Sequence, residues 1–234
     1  MSRRTRTPLW VLAGLLLLGV AVDRTGTPSP TPAPSVSPSP PAASRPGAGR
    51  PPAADVAATL RLLDGLPVKG RAPMTGYRRS QFGEAWVDVD HNGCRTRDDV
   101  LTRDLTDRQY RDRCVVVAGT LLDPYTHQLV EFRKADAAEV QIDHVVALAD
   151  AWQKGAQQWS PDKRLAFAND PLELLAVGGR VNDQKSNSDA ASWLPPYKPY
   201  RCAFVTRQVQ VKARYGLWVT AAERAAMVRV LSSC

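Results

Sequence analysis

Residues 141–148 read QIDHVVAL, residues 169–177 read NDPLELLAV, and after Gly178-Gly179 residues 180–189 read RVNDQKSNSD. The first is a short apolar strand carrying the pair Asp143-His144. The second is another apolar strand, and the glycine pair turns it into a polar helix starting near Asn182. Folding that helix back on the first strand places Asp143, His144, Asn182 and Lys185 around one cleft. Lys185 lies one turn beyond Asn182 on the same helix face.

The flanking sequence supplies short elements. Val56, Leu60 and Leu63 have helical spacing and Gly65 stops them. Trp86, Val87 and Val89 predict a strand before the turn Asp90-His91-Asn92-Gly93, and 115–122 predicts another before Asp123-Pro124. Further strands are expected at 129–132 and 140–142, and a helix from Leu148 through Trp152 to about Gly155. Ser160-Pro161 starts a helix where the missing proline donor costs nothing. Thr220 and Glu223 form a capping box for a last helix through Leu231. The chain reads as α+β, with the strands in the first half and most of the helix in the second.

Composition divides the 234 residues. Met1 to Arg24 joins Arg3, Arg4 and Arg6 to an apolar run from Leu9 to Val22, the layout of an export signal and too short for a membrane span. Residues 25–54 are a Pro/Ser/Thr-rich linker with nothing large to bury, expected to be disordered and extended. Residues 55–234 form the folding unit. The formal charge of +8 falls to +3 in that unit once the six Arg and one Asp of residues 1–54 are removed, so nucleic-acid binding has to be argued from a site. The expected product is secreted, or membrane-tethered where the N-terminal segment is retained, with no membrane insertion once the signal is removed. Cys94, Cys114, Cys202 and Cys234 lack a Cys-x-x-Cys pair and read as two disulfides. Of the three connectivities, the local closures Cys94 to Cys114 and Cys202 to Cys234 are favoured.

Phosphodiester hydrolysis needs a water deprotonated near neutral pH and a cation on the developing phosphorane charge. His144 supplies a base. Asp143 and Asn182 supply oxygen ligands for one divalent ion, Mg²⁺ or Mn²⁺, which retain waters and need few protein ligands. Arg97 and Arg180 are candidate phosphate contacts. His91 and His127 sit in turn sequences, and the tryptophans are too scattered for a base-stacking platform. A zinc hydrolase is disfavoured by the three histidines, the pairing of the cysteines and the lack of His-Glu-x-x-His.

At Asp143-His144 and Asn182-x-x-Lys185 the sequence resembles the HNH endonucleases, in the branch found as the C-terminal domain of GmrSD-type restriction enzymes and as secreted actinobacterial proteins. WVDVDHNGCRTRDDVL, DPYT, DAWQKGA, SWLPP and YGLWVTAAE extend the resemblance over about residues 60–234. It implies a β-hairpin-plus-helix core with a single metal, additional short strands and peripheral helices. His144 is then the general base, Asp143 and Asn182 the metal ligands, and Lys185 a phosphate or packing contact. The implied partner is DNA, and a monomer is expected. Glu173 departs from the pattern, which has Asn there to hold the loop and orient the base. Its carboxylate either takes over that role, favours the charged imidazole or marks weakened activity. The alternative is a catalytically weakened HNH-fold module that binds nucleic acid or an envelope polymer.

Overall fold

The computed structural model describes residues 53–234, so the expected export signal and nearly all of the expected linker lie outside the described residues. The elements run α1 (Ala53–Asp64), α2 (Thr96–Asp104), β1 (Thr106–Tyr110), β2 (Val116–Leu122), β3 (Leu129–Arg133), β4 (Val140–His144), α3 (Leu148–Gln153), α4 (Pro161–Ala168), β5 (Leu174–Gly178), α5 (Gly179–Lys185), α6 (Arg201–Tyr215) and α7 (Ala221–Ser232). The architecture is mixed α+β, with an antiparallel β1-β2-β3 sheet and a separate antiparallel β4-β5 ribbon.

The ribbon positions the site. His144 pairs with Leu174, Ile142 with Ala176 and Val140 with Gly178. Successive strand residues face opposite sides. Val140, Ile142, Leu174 and Ala176 therefore pack with α2 and the three-stranded sheet, in a core with Val100, Leu121 and Phe132. Leu175 and Val177 face the other way, into a core with Leu63, Tyr125, Phe204, Val209 and Met227 from α1, α6, α7 and the β2–β3 turn. A strand buried on both faces reads as a continuous apolar run, which is why LLAV contains no polar residue.

Helix α5 begins at Gly179, three residues before the expected start at Asn182. A Cβ at Gly179 would meet the Ala138 carbonyl oxygen at 1.9 Å, so only glycine lets the helix leave the strand so close to the chain entering β4. The expected strand at Trp86 to Val89 is absent. Those residues form a turn in which Trp86 has φ 66°, a left-handed backbone incompatible with a strand. The polar helix α2 and the exposed edge strand β1 were not expected. The Ser160 side chain accepts from the Lys163 N–H, and both bonds of the Thr220–Glu223 capping box form.

Two covalent ties and one ionic cluster bind the periphery. Cys94 is bonded to Cys114 and Cys202 to Cys234, with Cα separations of 5.3 and 5.9 Å. Replacing Cys202 and Cys234 together by serine is expected to lower stability by about 2–4 kcal/mol in guanidinium unfolding, because a constraint on the unfolded chain is removed. The fully buried Lys154 ammonium lies 2.6 Å from Asp150, 2.8 Å from Asp189 and 2.6 Å from Glu223. Lys212, also fully buried, pairs with Asp150 and Glu223 at 3.2 and 3.0 Å, and Arg71 closes the outer side against Asp189 at 2.6 Å. Opposite charges hold Lys212 protonated, above its ordinary range, despite burial.

Candidate active site at the end of the β4–β5 ribbon

Strand alternation separates the two members of the Asp-His pair. Asp143 faces α5 and the Tyr125 core. One of its oxygens accepts from Lys185 Nζ at 2.8 Å and the other from the Tyr125 hydroxyl at 2.5 Å. Lys185 is fully buried and donates a second bond, 2.9 Å long, to the His144 carbonyl oxygen. One helical turn earlier, the Asn182 amide donates to Gln141 Oε1 at 2.8 Å. Asn182 and Lys185 thus form two rungs from α5 to the Gln141–Asp143 face of β4.

The imidazole of His144 lies on the opposite face, 7% exposed. Its Nε2 is 2.9 Å from the Ala168 carbonyl oxygen at the end of α4. A carbonyl only accepts, so Nε2 carries the proton and Nδ1 keeps its lone pair. Burial drives the imidazole pKa down to about 3, with the nearby positive charges of Arg79 and Lys185 acting in the same direction and the Ala168 carbonyl opposing them. Trp86 stacks on the ring, with centroids 6.3 Å apart and planes at 23°.

Folded His144 stays neutral down to about pH 3, whereas the unfolded chain takes up a proton below about 6.5. Its contribution to stability is therefore complete above pH 6.5 and is lost as pH falls towards 3. The guanidinium unfolding midpoint is expected to drop on acidification through that window, and to drop less in His144→Gln.

Glu173 is fully buried, and its two carboxyl oxygens share the Val146 N–H at 3.0 and 3.2 Å. Its own carbonyl accepts from the Val145 N–H at 2.9 Å, so Glu173 holds the two peptide groups that follow His144. Burial pushes its carboxyl well above the usual range, and the Asp143 charge adds to this. The effect on stability is opposite in sign to that of His144. The folded carboxyl binds its proton more tightly than the unfolded one, so stabilisation is present at acid pH and lost as pH rises through the raised value. Glu173→Gln keeps an acceptor for Val146 without the charge. It is expected to gain stability relative to the parent as pH rises above 5, read from midpoints at several pH values.

Arg97 donates to the Val140 carbonyl at 3.4 Å, at the end of β4 remote from His144. Arg180 is exposed on the first turn of α5, beside a recess of about 550 Å³ lined also by Gln141 and Asp183. His91 and His127 are both exposed. Two contributors were not singled out from sequence: Tyr125 arrives from the β2–β3 turn and Arg79 from a 3₁₀ turn. Asn169, the nearest alternative amide to Glu173 but wrongly spaced for its role, is tied to the Trp86 loop rather than to His144. Only the DPYT stretch gave any signal for Tyr125.

Asp143 and Asn182 offer hard oxygen donors, and Asn182 Oδ1 accepts no hydrogen bond among the described residues. No cluster of three or more His, Cys, Asp or Glu side chains suited to a metal occurs there. Donors of this type and small number fit Mg²⁺ or Mn²⁺, which keep much of their water, better than zinc. Both Asp143 oxygens already accept hydrogen bonds, one from Lys185 and one from the Tyr125 hydroxyl, so each has one lone pair left for an ion.

An antiparallel ribbon ending in Asp-His and running directly into a helix with Asn-x-x-Lys on its inner face is compatible with an HNH-like domain. Residues 95–230 match the family described as GmrSD restriction endonucleases, C-terminal domain, and the chain belongs to that family. It is also 37% identical over 187 residues to an uncharacterized secreted protein of Arthroderma benhamiae, across 79% of this chain and 89% of that protein. No solved structure matches it. Among the described residues no helix is long and apolar enough to cross a membrane.

Proposed function

We propose that the protein is a secreted, metal-dependent endonuclease of HNH type that hydrolyses phosphodiester bonds of DNA as a monomer. The observation that carries this reading is the fixed tautomer of His144. The Nε2–H···O=C bond to Ala168 leaves Nδ1 basic, one residue from the buried Asp143–Lys185 pair.

His144 takes the proton of the attacking water at Nδ1, and the Ala168 carbonyl stabilises the imidazolium that forms. A pKa near 3 is low for a base in the free protein. A phosphate anion beside the ring raises it on binding, since an opposite charge favours the protonated form. Arg79 is exposed and has no ion-pair or hydrogen-bond partner among the described residues. It draws the phosphate chain to the site, and Arg180, at the Val140 end of the ribbon, offers a second contact further along that chain. Lys185 holds both the Asp143 carboxylate and the main chain at His144, and Glu173 holds the main chain that follows. Asp143 and Asn182 would hold the divalent ion, which would supply Lewis-acid stabilisation of the departing 3′-oxygen. Contacts of this kind are to the backbone and suit low sequence specificity.

A second reading, a weakened HNH-fold module that binds nucleic acid or an envelope polymer, is favoured by Glu173, a buried carboxyl in the place of the family's asparagine. Incubating the exported, disulfide-bonded chain with plasmid and Mg²⁺ or Mn²⁺ separates the two. The nuclease nicks the plasmid and EDTA abolishes nicking. The binding module retards it without nicking, and chelation changes nothing.

A further inference from the structure

Trp86 has a left-handed backbone, φ 66°, that a bulky side chain adopts only under constraint. The hydrogen bonds that hold its turn come from side chains outside the turn. Asn169, fully buried, donates to the Glu84 carbonyl at 3.4 Å and accepts from the Val87 N–H at 3.1 Å. Arg95 donates to the Ala85 carbonyl at 3.3 Å, and the Thr96 hydroxyl donates to the Val87 carbonyl. This over-determined turn brings the indole beside the His144 imidazole, nearly parallel to it and offset, with centroids 6.3 Å apart. The same end of α4 supplies both halves of the arrangement, because Ala168 receives His144 Nε2–H while the adjacent Asn169 clamps the Trp86 turn.

We propose that Trp86 is a positioning residue for His144. Locked in its strained turn by Asn169, Arg95 and Thr96, the indole fixes the imidazole in the plane in which Nε2 donates to Ala168 and Nδ1 stays open to water. This rests on the nuclease reading and names a residue through which that site works. Trp86 also borders the core that contains Ile142 and Leu174. A residue serving that core alone would affect stability and leave the chemical step untouched.

The test compares the full exported chain with Trp86→Phe, Trp86→Ala and Trp86→Gly. One readout is the kcat and KM of oligonucleotide cleavage with Mn²⁺. The other, taken without metal or substrate, is the NMR shift of the His144 ring protons, which the ring current of the adjacent indole displaces. Trp86→Ala is expected to lower kcat about 10²-fold with KM little changed, the scale of a misplaced catalytic group, and to abolish that displacement. Trp86→Phe keeps a stacked ring and is expected to retain most of kcat. Trp86→Gly relieves the backbone without restoring a ring, so it is expected to be more stable than Trp86→Ala, with the kcat of the alanine variant. An unchanged kcat in folded Trp86→Ala or Trp86→Gly overturns the proposal, as does recovery of kcat in Trp86→Gly alone. Absence of cleavage by the parent protein defeats the nuclease reading instead. The ring-proton shifts then still decide whether Trp86 holds His144: loss of the displacement in the ring-less variants supports it, and unchanged shifts overturn it.

Discussion

His144→Ala is expected to slow plasmid nicking by about 10²–10⁴-fold, the range that a positioned general base contributes. The variant should remain folded, because it removes a ring with a single side-chain hydrogen bond, to the last carbonyl of α4. Binding should persist, measured as plasmid retardation in Ca²⁺, since Arg79 and Arg180 are untouched. The pH profile adds a sharper criterion. For the parent, kcat/KM reports groups of the free protein, and His144 there stays neutral down to about pH 3, so no loss attributable to its protonation is expected between pH 8 and 5. An acid limb near 6.5 that disappears in a His144 variant would show the ring to be solvated and the buried-base account to be wrong. Nicking by His144→Ala at the parent rate would remove the base from the mechanism altogether.

Lys185→Met is expected to destabilise the fold by about 3–5 kcal/mol, the cost of leaving a buried carboxylate without its cation. Asp143 is 5% exposed, and its remaining partner, the Tyr125 hydroxyl, cannot neutralise it. Burial and the Asp143 charge push the Tyr125 hydroxyl well above its ordinary pKa, so it stays a proton donor throughout the accessible range. Removing both charges tells a different story. Asp143→Leu with Lys185→Met replaces a desolvated pair by apolar volume, and most of the lost stability should return, because such exchanges are often neutral or better. Activity should not return, since Asp143 is gone. Guanidinium midpoints and nicking assays on the two single variants and the double one complete the cycle. A Lys185→Met protein as stable as the parent would mean that the pair is solvated.

Much of the frame was legible because it depends on local pattern. An apolar run, a glycine pair and a polar helix are enough to set β4, β5 and α5 in order, and Ser160-Pro161 and Thr220-x-x-Glu223 mark helix starts by bonds within four residues. Trp86 to Val89 misled for a physical reason. Its aromatic and β-branched content suits a strand, but side chains distant in sequence hold Trp86 in a conformation that no strand contains. Helix α2 escaped notice because TRDDVLTRD buries few apolar residues. At the candidate site, the pairing of Lys185 with Asp143 follows from helix and strand geometry, whereas the arrival of Tyr125, Trp86 and the Ala168 carbonyl depends on how separate layers meet. The expectation of one cleft around Asp143, His144, Asn182 and Lys185 was wrong because it overlooked the alternation of β4. That alternation sends Asp143 and His144 to opposite faces, so the chemistry assembles around the strand end rather than within a single cleft.

The ionic cluster under α3, α6 and α7 bears on how this sequence can drift. Lys154, Lys212 and Arg71 balance Asp150, Asp189 and Glu223, three charges against three, with five of the six side chains almost wholly buried. Changing any one leaves an odd charge in a low-dielectric interior, so the tolerated steps are those that alter two of the residues together or first neutralise a partner. The effect of a substitution at Asp150 thus depends on what occupies positions 154, 212 and 223. Lineages that have once exchanged a pair would find the original residues harmful when restored singly, a ratchet built from electrostatics alone.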